Sequence, residues 1–113
     1  MASKWGYRPD GTEKGDGYLG ILTNSNGDSI TEYSIGINLD GEEIDVPTLV
    51  PTLTKAEVKA VLKATENDEP PPPSVVDKAA RYAISRKQSG LSIFANQDDY
   101  KQTKKWRSAI GLD

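Results

Sequence analysis

The sequence contains neither cysteine nor histidine among its 113 residues. The absence of cysteine excludes disulfides, thiolate chemistry, cysteine-ligated zinc and iron–sulfur clusters. The absence of histidine removes the commonest general base and the commonest transition-metal ligand. This inventory argues against an enzyme, and the sequence predicts no catalytic residue, metal site or cofactor.

Long apolar runs are also missing. No stretch approaches the roughly 18 residues that a membrane-spanning helix needs. No apolar segment follows Met1–Gly6, so a signal peptide is not predicted. The formal net charge of -3 gives the whole molecule no attraction to nucleic acid or to an anionic membrane. The length is that of one ordinary domain.

The first 17 residues are rich in glycine and turn-forming residues and lack any regular apolar spacing. We interpret residues 1–17 as an irregular N-terminal arm that carries two aromatic residues and three cations. Trp5, Tyr7 and Arg8 are candidate anchors for a partner protein, because such residues are enriched in binding hot spots. The same aromatic residues could instead pack over the domain's own core.

Three strands are predicted next. Tyr18–Leu22 is a short apolar run, and Thr31–Leu39 alternates with a period of two. Asn26-Gly27 and Asp40-Gly41 are the turns expected of hairpins, and Glu42–Val46 resumes the alternation. The predicted inward residues are Tyr33, Ile35, Ile37 and Leu39, and the predicted outward residues are Glu32, Ser34, Gly36 and Asn38. The segment is therefore predicted to be a three-stranded antiparallel meander.

Helices follow the strands. Thr54 and Glu57 form a predicted capping box at the start of a helix that should end near Ala64. Leu53 and Val58 occupy the positions of a hydrophobic staple around this cap. The repeated "PTL" of Val46–Thr54 thus predicts an extended connection from sheet to helix, with its leucines buried.

Two further helices are predicted beyond the stiff spacer Pro70–Pro73. Ser74 should cap the second, which should end at Gly90 with the last turn closed by Leu91. Its buried face is predicted to comprise Val76, Ala79, Ala80 and Ala83. The third should run from Asn96 to Gly111, with an apolar stripe of Tyr100, Thr103, Trp106 or Arg107, and Ile110.

The predicted fold is α+β, with two or three helices packed on one face of the meander. Residues 18–95 are predicted to form the core domain, and residues 96–113 the C-terminal helix.

Four other candidate sites have simpler structural explanations. Asn24–Ile30 and Asp10–Gly17 lack the ligand spacing of a calcium loop. The glycines before Tyr18 lack the Lys-Ser/Thr pair of a phosphate loop. The acidic residues Asp40, Glu42, Glu43 and Asp45 are interpreted as a solvated strand face rather than an acid–base pair.

The C-terminal helix is the best candidate for nucleic-acid binding. It carries four cations and two flanking aromatic residues, namely Lys101, Lys104, Lys105 and Arg107 with Tyr100 and Trp106. Such residues can pair with phosphates and stack on bases. However, cations also favour the C-terminal half of any helix, and the chain is acidic overall. We therefore interpret these six residues first as candidates for protein binding.

Three segments of the sequence resemble, in order, a family of small uncharacterised proteins of podovirus-like tailed bacteriophages. They are "YRPDGTEKGDGYLGIL", "EYSIGINLDGEEIDVPTLVPTLT" and "VVDKAARYAISRKQSGLSIFA". The resemblance covers Tyr7–Ala95 and supplies no catalytic residues. It implies a protein of the virion: a tail, neck or capsid accessory component, or a protein packaged for ejection.

The function expected from this resemblance is non-enzymatic binding to other virion proteins through the two terminal segments. A homo-oligomer within a symmetric assembly is compatible with that role. The expected location is the virion, after synthesis in the host cytoplasm. The alternative is an early phage protein that binds and inhibits a host enzyme or defence complex.

Overall fold

The computed structural model describes residues 4–112 and has an α+β fold, as predicted. Two small antiparallel sheets come first and four helices follow. The strands are β1 (Leu22–Thr23), β2 (Ser29–Ile30), β3 (Ser34–Leu39) and β4 (Glu42–Pro47). The helices are α1 (Lys55–Asn67), α2 (Pro73–Gln88), α3 (Gln97–Tyr100) and α4 (Thr103–Ile110).

The predicted three-stranded meander is wrong, because the strands form two separate pairs, β1–β2 and β3–β4. Tyr33 has a left-handed backbone, with φ 42°, which interrupts the extended chain before β3 begins at Ser34. Of the predicted first strand, Tyr18–Leu22, only Leu22 belongs to β1. Gly20 has φ 73° and turns the chain just before this strand. Tyr33 and Gly20 thus each interrupt a stretch that the sequence pattern predicts to be one continuous strand.

The β3–β4 hairpin confirms the tight turn predicted at Asp40-Gly41. Both residues have positive φ, 54° and 82°, as a type I′ turn requires. The register pairs Ile37 with Ile44 and Ile35 with Val46, which places the apolar side chains on one face. That face packs against α2, where Val46 forms a buried cluster with small alanine residues.

Helix α1 begins with the predicted capping box. Glu57 N–H donates to Thr54 Oγ1 (3.2 Å), and Thr54 N–H donates to the Glu57 carboxylate (2.9 Å). The ammonium of Lys78, 2.6 Å from the same carboxylate, and the Thr54 N–H together lower the pKa of Glu57 to about 2. The helix continues past Ala64 and ends at Asn67, followed by the C-cap residue Asp68, whose φ of 53° is left-handed.

The connection between sheet and helix is buried as predicted. Leu49 is fully buried, Leu53 is 3% exposed, and both belong to the main core cluster with Val58. Thr48 is also buried and its N–H donates to the carbonyl of Glu32 (3.2 Å). The second leucine and Val58 therefore flank the Thr54 cap, as a hydrophobic staple does.

The start of α2 differs from the prediction that Ser74 caps it. Pro72 is the N-cap residue and Pro73 is the first helical residue, because proline at this position has a helical φ and needs no N–H partner. The predicted end is confirmed: Leu91 N–H donates to Arg86 O (2.9 Å) beyond Gly90. The buried face contains Val75 rather than Val76, with Ala79 and Ala83 as predicted.

The predicted third helix consists of two pieces. Asn96 caps α3 through a capping box with Asp99, and Gly111 ends α4 with φ 92°, so both predicted boundaries are confirmed. The chain between them tightens where Gln102 N–H donates to Asp99 O (2.9 Å), three residues back rather than four. This turn separates the two helices at Lys101 and Gln102.

Candidate functional site

Arg8 connects the N-terminal segment to the body of the protein. Its guanidinium forms two hydrogen bonds with the Glu32 carboxylate, at 3.1 and 2.5 Å. The side chains of Arg8 and Glu32 are 10% and 2% exposed. The Gly15 N–H also donates to Glu32 (3.0 Å), and the Arg8 guanidinium lies 4.0 Å from the centre of the Phe94 ring. These contacts hold the segment against the core.

The expectation that Glu32 faces solvent is wrong. Glu32 lies in the irregular stretch before β3, where the left-handed backbone of Tyr33 changes the direction of the chain. Strand alternation therefore does not apply to it. Burial of this carboxylate is sustained by Arg8 and by the Gly15 N–H, since a buried charge requires such partners.

The two aromatic residues of the N-terminal segment have different surroundings. The Trp5 indole N–H donates to Asp16 (2.7 Å), and the Lys4 ammonium lies 5.1 Å from its ring centre. Tyr7 forms an isolated backbone bridge with Glu13, but its residue is 53% exposed. Trp5 is partly buried, whereas Tyr7 presents an aromatic side chain to solvent.

Part of the C-terminal candidate set contacts the protein's own core. The Trp106 ring packs edge-on against Tyr18, with centroids 5.9 Å apart. Arg107 Nη1 donates to Leu19 O (2.7 Å), and Thr103 Oγ1 donates to Tyr18 O (3.0 Å). Trp106 and Arg107 therefore fix α4 in place, which limits what they can offer to a partner.

The three lysines of the C-terminal segment are exposed. Lys101, Lys104 and Lys105 all lie on the surface, and the Lys101 ammonium is 3.6 Å from the Asp98 carboxylate. An exposed pair of this kind contributes little to stability. Of the nine residues predicted to bind a partner, these three and Tyr7 are the ones with side chains most available to it.

Tyr100 joins the two ends of the chain. Its hydroxyl lies where a side chain at Gly15 would be, so that any Cβ added there would collide with it. Burial raises the pKa of the Tyr100 phenol above its ordinary value. A shallow depression of about 300 Å³ surrounds this contact. We call this surface the terminal patch; its residues include Lys4, Trp5, Lys14, Asp16, Gln97 and Tyr100.

A buried ion pair that sequence reasoning missed holds α3 in position. Arg86 donates two hydrogen bonds to the Asp99 carboxylate, at 2.8 and 2.7 Å, and both side chains are about one-tenth exposed. Arg86 N-ε also donates to Ser92 O (2.7 Å). Arg86 lies near the end of the predicted second helix and Asp99 near the start of the predicted third. Nothing in their spacing indicates that these two helix ends are in contact.

The acidic residues of the β3–β4 hairpin are the remaining candidates for chemistry. Within residues 4–112, no group of three acidic side chains is close enough to hold a metal ion. The acidic set of the hairpin lies around its turn and on β4, and Glu43 and Asp45 have no hydrogen-bond or ion-pair partner among the described residues. These two carboxylates line a depression with Asp10, Thr12 and Ser92, but among the described residues neither carboxylate is hydrogen-bonded to a hydroxyl, as activation of a nucleophile requires.

Comparison with known proteins adds no assignment. No family model matches the sequence, and no curated protein and no solved structure matches it. None of the helices in the described part of the chain is both long and apolar enough to cross a membrane.

Proposed function

We propose that this protein is a non-enzymatic component of a tailed-bacteriophage particle that binds other virion proteins through its two terminal segments. It would be a tail, neck or capsid accessory protein, or a protein packaged for ejection. The resemblance over Tyr7–Ala95 motivates the phage assignment. The observation that supports the binding role is the terminal patch. There the Tyr100 hydroxyl packs against Gly15, so that residues of the two terminal segments lie on one surface.

The terminal patch has the composition of a protein-binding surface. Trp5 and Tyr100 supply partly buried rings, and charges of both signs lie beside them, namely Lys4, Glu13, Lys14 and Asp16. Aromatic residues surrounded by charge are typical of interfaces in which a few side chains provide most of the affinity. Because the surface is already ordered by contacts within the chain, a partner would meet little entropic cost in organising it.

Mass spectrometry of purified phage particles tests the virion role. We expect the polypeptide at a constant copy number per particle after gradient purification. Its absence from particles, combined with its presence in infected cells, would contradict the virion role and favour the alternative of an early inhibitor of a host protein.

A glycine substitution tests the binding surface itself. In Gly15→Ala, the new methyl group would displace the Tyr100 hydroxyl from its position over Gly15 and so disrupt the contact between the two segments. We expect incorporation into particles to fall at least about tenfold, which corresponds to about 1.4 kcal/mol of binding free energy. Ser108→Ala, at an exposed position of α4 outside the terminal patch, is the control. Equal incorporation of the two folded variants would argue against the terminal patch.

A further inference from the structure

Strand β3 presents an open edge. It pairs only with β4 among the described residues, and the two-residue turn at Asp40-Gly41 makes Leu39 and Glu42 a hydrogen-bonded pair. The alternation of an antiparallel ladder then directs the N–H and C=O groups of Gly36 and Asn38 away from β4. No backbone hydrogen bond reaches these groups in residues 4–112.

This edge lacks the usual protection against pairing with another chain. The six residues of β3, Ser34–Leu39, include no charge and no proline. Strand β4, by contrast, carries three acidic residues and ends at Pro47. Charge and proline are the common means by which edge strands avoid association. The hairpin therefore has one protected edge and one that can accept a strand.

An open apolar groove borders the β3 edge. Its volume is about 1030 Å³, and it is bounded by β3, α1, the proline spacer and the start of α2. Apolar lining residues include Ile37, Leu39, Pro72, Val76 and Ala80. An extended chain added alongside β3 would direct every second side chain into this groove, because facing residues of neighbouring strands point to the same side.

The opposite face of the hairpin is acidic at the same edge. Because Gly36 has no side chain, two carboxylates lie over it: a Cβ there would be 3.1 Å from Glu43 Oε1 and 3.8 Å from Asp45 Oδ1. Neither carboxylate has an ion-pair partner among the described residues. The side chain of an added strand that faces Gly36 would thus meet two negative charges.

We propose that β3 binds an extended segment of a partner protein in which apolar residues alternate with lysine or arginine. The segment adds to the hairpin as a third strand. Its backbone pairs with Gly36 and Asn38, its apolar side chains enter the groove beside Ile37 and Leu39, and its cations approach Glu43 and Asp45. This surface is separate from the terminal patch, and the inference does not depend on the virion proposal.

Amide hydrogen exchange of the full chain, measured by NMR, tests the proposal. The probes are synthetic peptides about as long as β3, in which valine or leucine alternates with lysine or arginine. We expect the amides of Gly36 and Asn38 to exchange rapidly in the free protein and at least about tenfold more slowly with peptide at millimolar concentration. The same peptides with glutamate in place of the cations should give no protection. Protection by neither set, or by both equally, would overturn the proposal.

Two variants separate the backbone contribution from the charge contribution. Gly36→Pro removes an outward N–H without removing a β3–β4 hydrogen bond, and should abolish peptide protection of Asn38. Glu43→Gln with Asp45→Asn should weaken peptide binding about fivefold at low salt, while Asp98→Asn, which removes an exposed charge from α3, should leave it unchanged. Because the charge variant keeps the hairpin backbone, it remains informative if Gly36→Pro does not fold.

A second copy of this chain is the competing occupant. Two β3 edges could pair in antiparallel fashion and form a four-stranded sheet. Protection of Gly36 and Asn38 that rises with protein concentration, without peptide, would establish that occupant and overturn the proposal of a cationic partner segment.

Discussion

Replacing Asp99 with asparagine should destabilise the fold by about 3 kcal/mol. The carboxylate accepts two hydrogen bonds from Arg86, at 2.8 and 2.7 Å, and a third from the Asn96 N–H (2.9 Å). Breaking a buried ion pair costs about 3–5 kcal/mol, because the remaining charge stays buried without compensation. Asparagine keeps one oxygen acceptor, which places the expected loss at the lower end of that range.

The exposed pair Arg81–Asp77, which lies within α2 as Arg86 does, provides a control. The Arg81 and Asp77 side chains are 78% and 60% exposed, and Arg81 Nε lies 2.9 Å from Asp77 Oδ2. This N···O distance is close to that of the Arg86–Asp99 pair, but the burial of the two pairs differs. Asp77→Asn should cost no more than about 0.5 kcal/mol. The comparison therefore contrasts a buried aspartate that accepts three hydrogen bonds with an exposed one that accepts a single bond from arginine.

Urea denaturation followed by circular dichroism measures both losses, and the thermal midpoint of Asp99→Asn should fall by about 10 °C. Adding Arg86→Met to Asp99→Asn should recover part of the stability, because no charge is then left buried. An Asp99→Asn loss no larger than that of Asp77→Asn would refute the reasoning. The reasoning would also be refuted if the Arg86→Met/Asp99→Asn double variant lost more stability than the sum of the losses of the two single variants.

Three further predictions concern the cap, a glycine and pH. Thr54→Ala should cost about 1 kcal/mol in denaturant unfolding, and Thr52→Ala, at an exposed position, almost nothing. Gly17→Ala should cost several-fold more than Gly27→Ala in the same assay: both have positive φ, but only at Gly17 would a Cβ collide with a backbone carbonyl. Because the pKa of Glu57 falls from 4.5 to about 2 on folding, its stabilisation is present above pH 4.5 and is lost toward pH 2. Glu57→Gln should flatten that part of the pH–stability curve.

The sequence predicts those features that neighbouring residues determine. The turn at Asp40-Gly41, the capping box at Thr54, the helix start at Asn96 and the helix end at Gly111 are all found where predicted. Each depends on side chains or φ preferences within a few positions. Local chemistry of this kind is independent of how the rest of the chain folds.

Two features that the sequence does not predict concern residues whose environment is set by distant parts of the chain. Glu32 was assigned to solvent by alternation, but Arg8, 24 positions earlier, pairs with it inside the protein. Likewise, Arg86 and Asp99 have the sequence features of ordinary helix ends, and their pairing follows from how α2 and α3 pack. Neither spacing nor composition carries that information, because both pairs depend on tertiary contact.

These buried pairs explain why the two ends of the chain form one ordered surface. Glu32 binds Arg8 and the Gly15 N–H, and so holds the N-terminal segment in place. The Arg86–Asp99 pair holds α3, which places the Tyr100 hydroxyl over Gly15. Buried ion pairs contribute little net stability compared with apolar contacts of similar size. Their effect here is geometric: each helps to fix one side of the contact between Gly15 and Tyr100.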